Sequence, residues 1–156
     1  MTGAPDLRAN LLRMSPSELA LAPTEELPHV WAAVFDWGMR EGSASIIAVA
    51  DGSVSMYTSS GGGMIGAGEH ESVRVPATRF LRTVESILDS LTPATDTPLP
   101  GANEFALVAL TYEGTRRAVA DLRLLQRADP VARAWIAGQD VITALRELQE
   151  QPPARG

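Results

Sequence analysis

An α+β fold on a five-stranded antiparallel sheet is what this sequence predicts, and three observations predict it. Short, densely apolar blocks are separated by tight-turn dipeptides, Glu41-Gly42, Asp51-Gly52 and Glu113-Gly114. Two longer stretches change period, with apolar residues recurring at helical spacing. The order that results, a helical lead-in followed by β-β-β-α-β-β-α, contains no fixed-period repeat. Two main helices on one face of the sheet is the simplest assembly of these parts.

Taken in order, residues 1–28 read as a helical N-terminal extension. Leu7, Leu11, Leu12 and Met14 share one face of a short helix, and Ser15-Pro16-Ser17-Glu18 carries the signature of a capping box with proline in the first turn. Pro23 and Pro28 then interrupt the chain. Residues 29–37 form a first strand, apolar on both faces, with Trp31, Ala33, Phe35 and Trp37 predicted on one side and Val30, Ala32 and Val34 on the other. Residues 45–50 make a second doubly apolar strand, and 54–58 a third. After a glycine-rich loop, Phe80, Leu81, Val84, Ile87, Leu88 and Leu91 mark an amphipathic helix over 72–91. A stiff loop with Pro93, Pro98 and Pro100 leads to a hairpin of 105–112 and 115–122. Asp129-Pro130 starts a last helix, with Val131, Trp135, Ile142, Leu145 and Leu148 inward and Gly138 permitting close packing. Residues 29–150 thus form the α+β domain, and 151–156 are expected to fray.

This pattern leaves a surplus. The first, second and fourth strands are apolar on both sides, while two helices cover only one. The second face requires either the N-terminal segment or another subunit.

Composition removes whole classes of chemistry. The 156 residues include no cysteine, and all 13 basic residues are arginine, since no lysine occurs. Thiol nucleophiles, lysine Schiff bases, cysteine metal sites and the lysine-bearing phosphate loop are excluded. A net charge of −6 with scattered arginines argues against nucleic acid. The one adjacent pair, Arg116-Arg117, points to opposite faces if it lies in a strand. No apolar run is long enough to span a membrane, and the N-terminus lacks a secretory pattern, so a cytoplasmic setting is expected.

The remaining candidate chemistry concentrates in residues 59–71. Gly61-Gly62-Gly63-Met64-Ile65-Gly66 fits the glycine pattern that lets backbone amides approach a phosphate. The strand before it leaves a tight hairpin rather than a parallel unit, and Glu69 and Glu71 repel phosphate at the helix mouth. A small-molecule or anion site there would use Ser59, Ser60, Gly61, Gly63, Gly66, His70 and Arg74, with Arg79 within reach. The alternative is that the glycines serve a bulge or a close backbone crossing. Two further sets can be written on paper. One is a metal or acid–base cluster of His29 and His70 with Asp36, Glu69 or Glu71. The other is a Ser59/Ser60–His70–Asp36 triad, which lacks the nucleophile-elbow motif. No metal and no cofactor is expected.

Trp31, Phe35 and Trp37 suit core packing or a protein interface. Asp36 is the odd residue of its strand; it needs a partner such as Arg40 if buried, or a place at the sheet rim. The function these features support is a non-catalytic intracellular interaction or scaffold domain, a homodimer or partner-binding module using a sheet face or edge. The alternative is a small-ligand or anion-binding domain, or an enzyme, built on the loop 59–71.

Overall fold

The computed structural model describes residues 7–150. The expectation for 151–156 and any contribution from the side chain of Leu7 lie outside the described residues. In chain order the elements are helix α1 (Leu7–Arg13), a 3-10 turn (Pro16–Leu19), strands β1 (Val30–Met39), β2 (Gly42–Val49), β3 (Val54–Thr58) and β4 (Gly63–Met64), helix α2 (Glu71–Ser86), strands β5 (Thr92–Pro93), β6 (Glu104–Thr111) and β7 (Gly114–Asp121), and helix α3 (Pro130–Glu150). The strands form one antiparallel sheet in the order β4-β3-β2-β1-β6-β7-β5.

The sheet therefore has seven strands, not the five predicted. The two additions, β4 and β5, are two residues long and cap opposite edges. Pairs this short show no alternation to read. β4 hides in the glycine-rich loop, and β5 contains Pro93, which a ladder tolerates only at an edge. The helix predicted over 72–91 also ends early, at Ser86, and a 3-10 turn (Leu88–Ser90) follows. The Ser86 hydroxyl donates back to Thr83 O at 2.7 Å, and Arg116 caps the freed carbonyls of Leu88 and Leu91 at 3.3 and 3.0 Å.

α2 and α3 cover one face. Between them and the sheet lie Phe35, Ile46, Phe80, Phe105, Leu107 and Leu145. Phe35 stands at the centre, with ring centroids 4.5 Å from Phe105 and 5.4 Å from Trp135. α3 reaches this depth because Gly138 lies against Phe35: a Cβ there would sit 2.1 Å from the ring.

The second face is covered by the chain's own N-terminal segment. Leu11 is buried against Trp31, Val34, Ile47, Val49, Val108 and Leu110, with Leu12, Met14, Leu19 and Leu21 around it. This resolves the surplus of apolar strand positions. It also corrects the predicted facing of the aromatics. The β1–β6 register shifts between Val30 and Ala32, a bulge that reverses the alternation. Trp31 consequently packs on the second face, and its indole N–H donates to Thr111 O at 3.2 Å. Phe35 and Trp37 lie on the helical face.

Candidate functional site

Asp36 sits on the second face, in the middle of a ten-residue strand, with no solvent exposure. It is not at the sheet rim, and its partner is Arg8 of α1, not Arg40. Arg8 Nε donates to Asp36 Oδ1 and Oδ2 at 3.0 and 3.1 Å, and Nη2 donates to Oδ2 at 2.7 Å. Ser45, directly opposite on β2, donates its hydroxyl to Oδ1 at 2.6 Å. The same Arg8 Nη2 donates to Thr97 O at 2.6 Å, and the Arg8 amide donates to the Tyr57 hydroxyl at 3.1 Å. One side chain thereby ties together the N-terminal helix, the central strand and the proline-rich connection. Arg117 repeats the motif beside it, with Nη2 on Pro98 O at 2.6 Å. Arg116 and Arg117 point to opposite faces, as a strand pair must. Proline-rich backbone leaves its carbonyls without internal partners, so arginines can dock on it.

The glycine-rich loop is occupied by its own folding. Ser59 and Ser60 lie in the turn between β3 and β4. Ser59 Oγ accepts the Ser43 amide at 3.0 Å, and Ser60 Oγ meets Thr58 Oγ1 at 2.8 Å. Gly61 donates its amide to Thr58 O at 3.0 Å. Gly63 is a strand residue paired with Tyr57, and a Cβ on it would lie 2.4 Å from Met56 O. Gly66 precedes a 3-10 turn (Ala67–Glu69). Gly68 presses on the β2–β3 turn, where a Cβ would meet Gly52 O. His70 is exposed at the N-cap of α2 and makes no side-chain cap. Arg74 Nη1 folds back onto Gly68 O at 3.0 Å. Asp36 is bound to Arg8 and Ser45, so the Ser–His–Asp set does not assemble. Among the described residues no group of three or more His, Asp or Glu is placed to hold a metal ion.

Of the predicted interface aromatics, Trp31 and Phe35 are buried within the chain, and Trp37 is half-buried against Trp135. Among the described residues no helix is long and apolar enough to cross a membrane.

A pairing that the sequence does not announce lies at the start of β1. His29 Nδ1 is 2.9 Å from Glu85 Oε2, and Glu85 Oε1 accepts the amides of His29 and Val30 at 2.8 and 3.0 Å. Burial pushes the Glu85 carboxyl upward, but the Val30 and His29 amides and the His29 ring outweigh it and hold the group below its ordinary value. The imidazole stays 57% exposed and borders a cleft of about 370 Å³ shared with Asp89, Glu113, Thr115 and Arg116. Fifty-six residues separate the two partners, so spacing carried no signal of them.

Among the described residues, part of the outer edge of β7 is left unpaired. β5 covers only Arg116 and Arg117 of β7. Thr115 O accepts the Ala94 amide on the outer side, while the Leu122 amide turns inward to Asn103 O. Odd-numbered residues of β7 therefore direct their backbone groups outward. Among the described residues no strand meets Val119, a residue that is 45% exposed. Past the end of this strand, Leu122, Leu125, Trp135 and Ile136 line a shallow cleft of about 340 Å³. The chain matches no family model, no curated protein and no solved structure.

Proposed function

We propose that this chain is a non-catalytic, cytoplasmic interaction domain that self-associates through the edge of its sheet. The observation that carries this reading is the outer side of β7 at Val119. Its N–H and C=O point away from β6, and an unpaired backbone of this kind is a template for another strand. The exposed side chains of Val119, Leu124 and Ile136 lie on the same strand and on the segments that follow it, and supply apolar surface for the contact. The second sheet face is already occupied by residues 8–21, so the edge is the route that needs no rearrangement. Val119→Pro deletes the outward donor and leaves the β6 ladder intact, because Val119 does not bond toward β6. Light scattering over a concentration series should give a dimer for the parent and a monomer for Val119→Pro, and the parent's thermal midpoint should fall on dilution toward the concentration-independent midpoint of the variant. A parent that stays monomeric throughout removes the reading.

A second reading, a small-ligand domain, is favoured by the His29 cleft rather than by the glycine-rich loop. The His29 ring is tied to Glu85 Oε2 through Nδ1 and lines the cleft together with Glu85, Asp89, Glu113 and Arg116. A small polar ligand suits that lining. A metabolite panel that raises the melting temperature of the parent, but not of His29→Ala, supports this reading. A panel without effect on the parent ends it.

A further inference from the structure

We propose that the cleft between residues 24–27 and α2 binds a small amphiphilic carboxylate, its head on Arg74 and its apolar chain inside. The site uses neither the outer side of β7 nor the His29 cleft, so it stands apart from both readings above.

Shape is the first observation. Residues 24–27, the β2–β3 turn and α2 enclose a cleft of about 360 Å³, within the range of small-molecule sites. Leu27, Val54, Ala77 and Leu81 give it an apolar floor. All four are buried, so this apolar surface is recessed rather than projecting. A narrow chain reaches such a floor; a flat bilayer does not.

Charge is the second. Arg74, Thr78 and Arg82 recur at four-residue spacing on α2, and with Val75 and Arg79 they line an adjoining cleft of about 310 Å³. Arg74 and Thr78 belong to both clefts, which puts them where the lining passes from apolar to cationic. Between Glu71 and Glu85, α2 carries three arginines and no acid, in a chain of net charge −6. The opposite lip holds Glu25 and Glu26. Arg82 neutralises Glu26 at 2.6 Å, and Glu25 repels an anion from its own lip, which directs the head to α2.

The third observation is how Arg74 is held. Its stem lies over the β2–β3 turn, where a Cβ on Gly52 would sit 3.5 Å from Arg74 Cδ. Its Nη1 donates to Gly68 O at 3.0 Å and reaches Glu69 O at 3.4 Å. Among the described residues, Arg74 Nε and Nη2 have no partner, and neither has Thr78 Oγ1. Nε and Nη2 form one edge of the guanidinium, the edge with which Arg8 grips the Asp36 carboxylate. Arg74 thus presents a fixed fork at the mouth of an apolar cleft, and a carboxylate with a short apolar chain matches both parts.

Calorimetric titration of the full chain tests this, with sodium octanoate as the probe and hexanoate, butanoate and octylamine beside it. Affinity should rise about 4-fold per added methylene along the carboxylate series, and octylamine should not bind. Arg74→Gln should weaken octanoate about 10-fold, the loss of a charge-assisted contact, while Arg146→Gln, an exposed arginine of α3, binds as the parent does. A parent silent toward octanoate overturns the proposal. So does octylamine binding as well as octanoate, a flat chain-length series, or an affinity that Arg74→Gln leaves unchanged. Should Arg74→Gln fail to fold, the chain-length series and the octylamine comparison decide the matter on the parent alone.

Discussion

Arg8 and Asp36 fix how the N-terminal arm sits, through desolvated charge. A buried guanidinium–carboxylate pair adds little net stability over an apolar pair of the same volume, but removing one partner strands the other. Arg8→Ala should therefore cost about 3–5 kcal/mol, whereas Arg8→Met with Asp36→Leu should fall within about 1–2 kcal/mol of the parent or exceed it. Urea denaturation of both variants decides the matter; similar losses for the two would show that the charge was never desolvated. Glu85 gives a second residue-scale expectation. Its carboxyl titrates lower in the folded state than the ordinary value of 4.5, so folding favours the ionised form. The stabilisation is complete above the unfolded value and disappears as pH falls through the folded one. Near the C-terminal end of α2 the helix dipole opposes this charge, which leaves the two backbone amides and His29 to hold it. Glu85→Gln should lower the urea midpoint at neutral pH and converge with the parent once the pH has fallen below the lowered folded value, and a gap that persists in acid would contradict the assignment.

At the scale of elements, the glycines separate into those that allow contact and those that allow a turn. Gly138 admits the Phe35 ring beneath α3, so Gly138→Ala must push helix or ring aside and should cost about 1–3 kcal/mol by thermal unfolding. In the glycine-rich loop, Gly63 abuts Met56 O, while Gly66 has open space around a left-handed backbone of φ 77°. Gly63→Val should consequently destabilise more than Gly66→Val, and the reverse order would mean the loop is not held as an edge strand. The sequence shows the glycines but not which neighbour each one meets. It shows β1, β2, β3, β6 and β7 through their apolar blocks and turn dipeptides, because a strand of five or more residues imprints a pattern. β4 and β5 leave none. Glu69 and Glu71 at the mouth of α2 already argued against a phosphate there. The Ser43 and Gly68 contacts that occupy Ser59 and Arg74 arise from tertiary packing and have no local signature.

For the whole molecule, the most informative sequence feature was the excess of apolar strand positions, since it demanded a cover for the second face. Which cover could not be read from periodicity. Arg8 interrupts a leucine-rich helix and Asp36 interrupts an apolar strand, two anomalies of opposite sign 28 residues apart. Each anomaly answers the other, and their pairing selects the N-terminal segment as the cover. The cover that results is unequal to the layer opposite it: one seven-residue helix and a short turn against two long helices. Isolated helices of that length do not persist in water, so α1 holds its shape only while docked. The arm should therefore open as a unit at a lower free energy than the sheet. Hydrogen exchange read by mass spectrometry should show amides of residues 8–19 exchanging ahead of those in β1, β2 and β6. In Arg8→Ala the arm amides should lose protection almost entirely, while α2 and α3 keep theirs, because their core lies on the other side of the sheet. Arm and sheet amides exchanging together in the parent would instead make both layers one cooperative unit, with the arm as essential to the fold as either long helix.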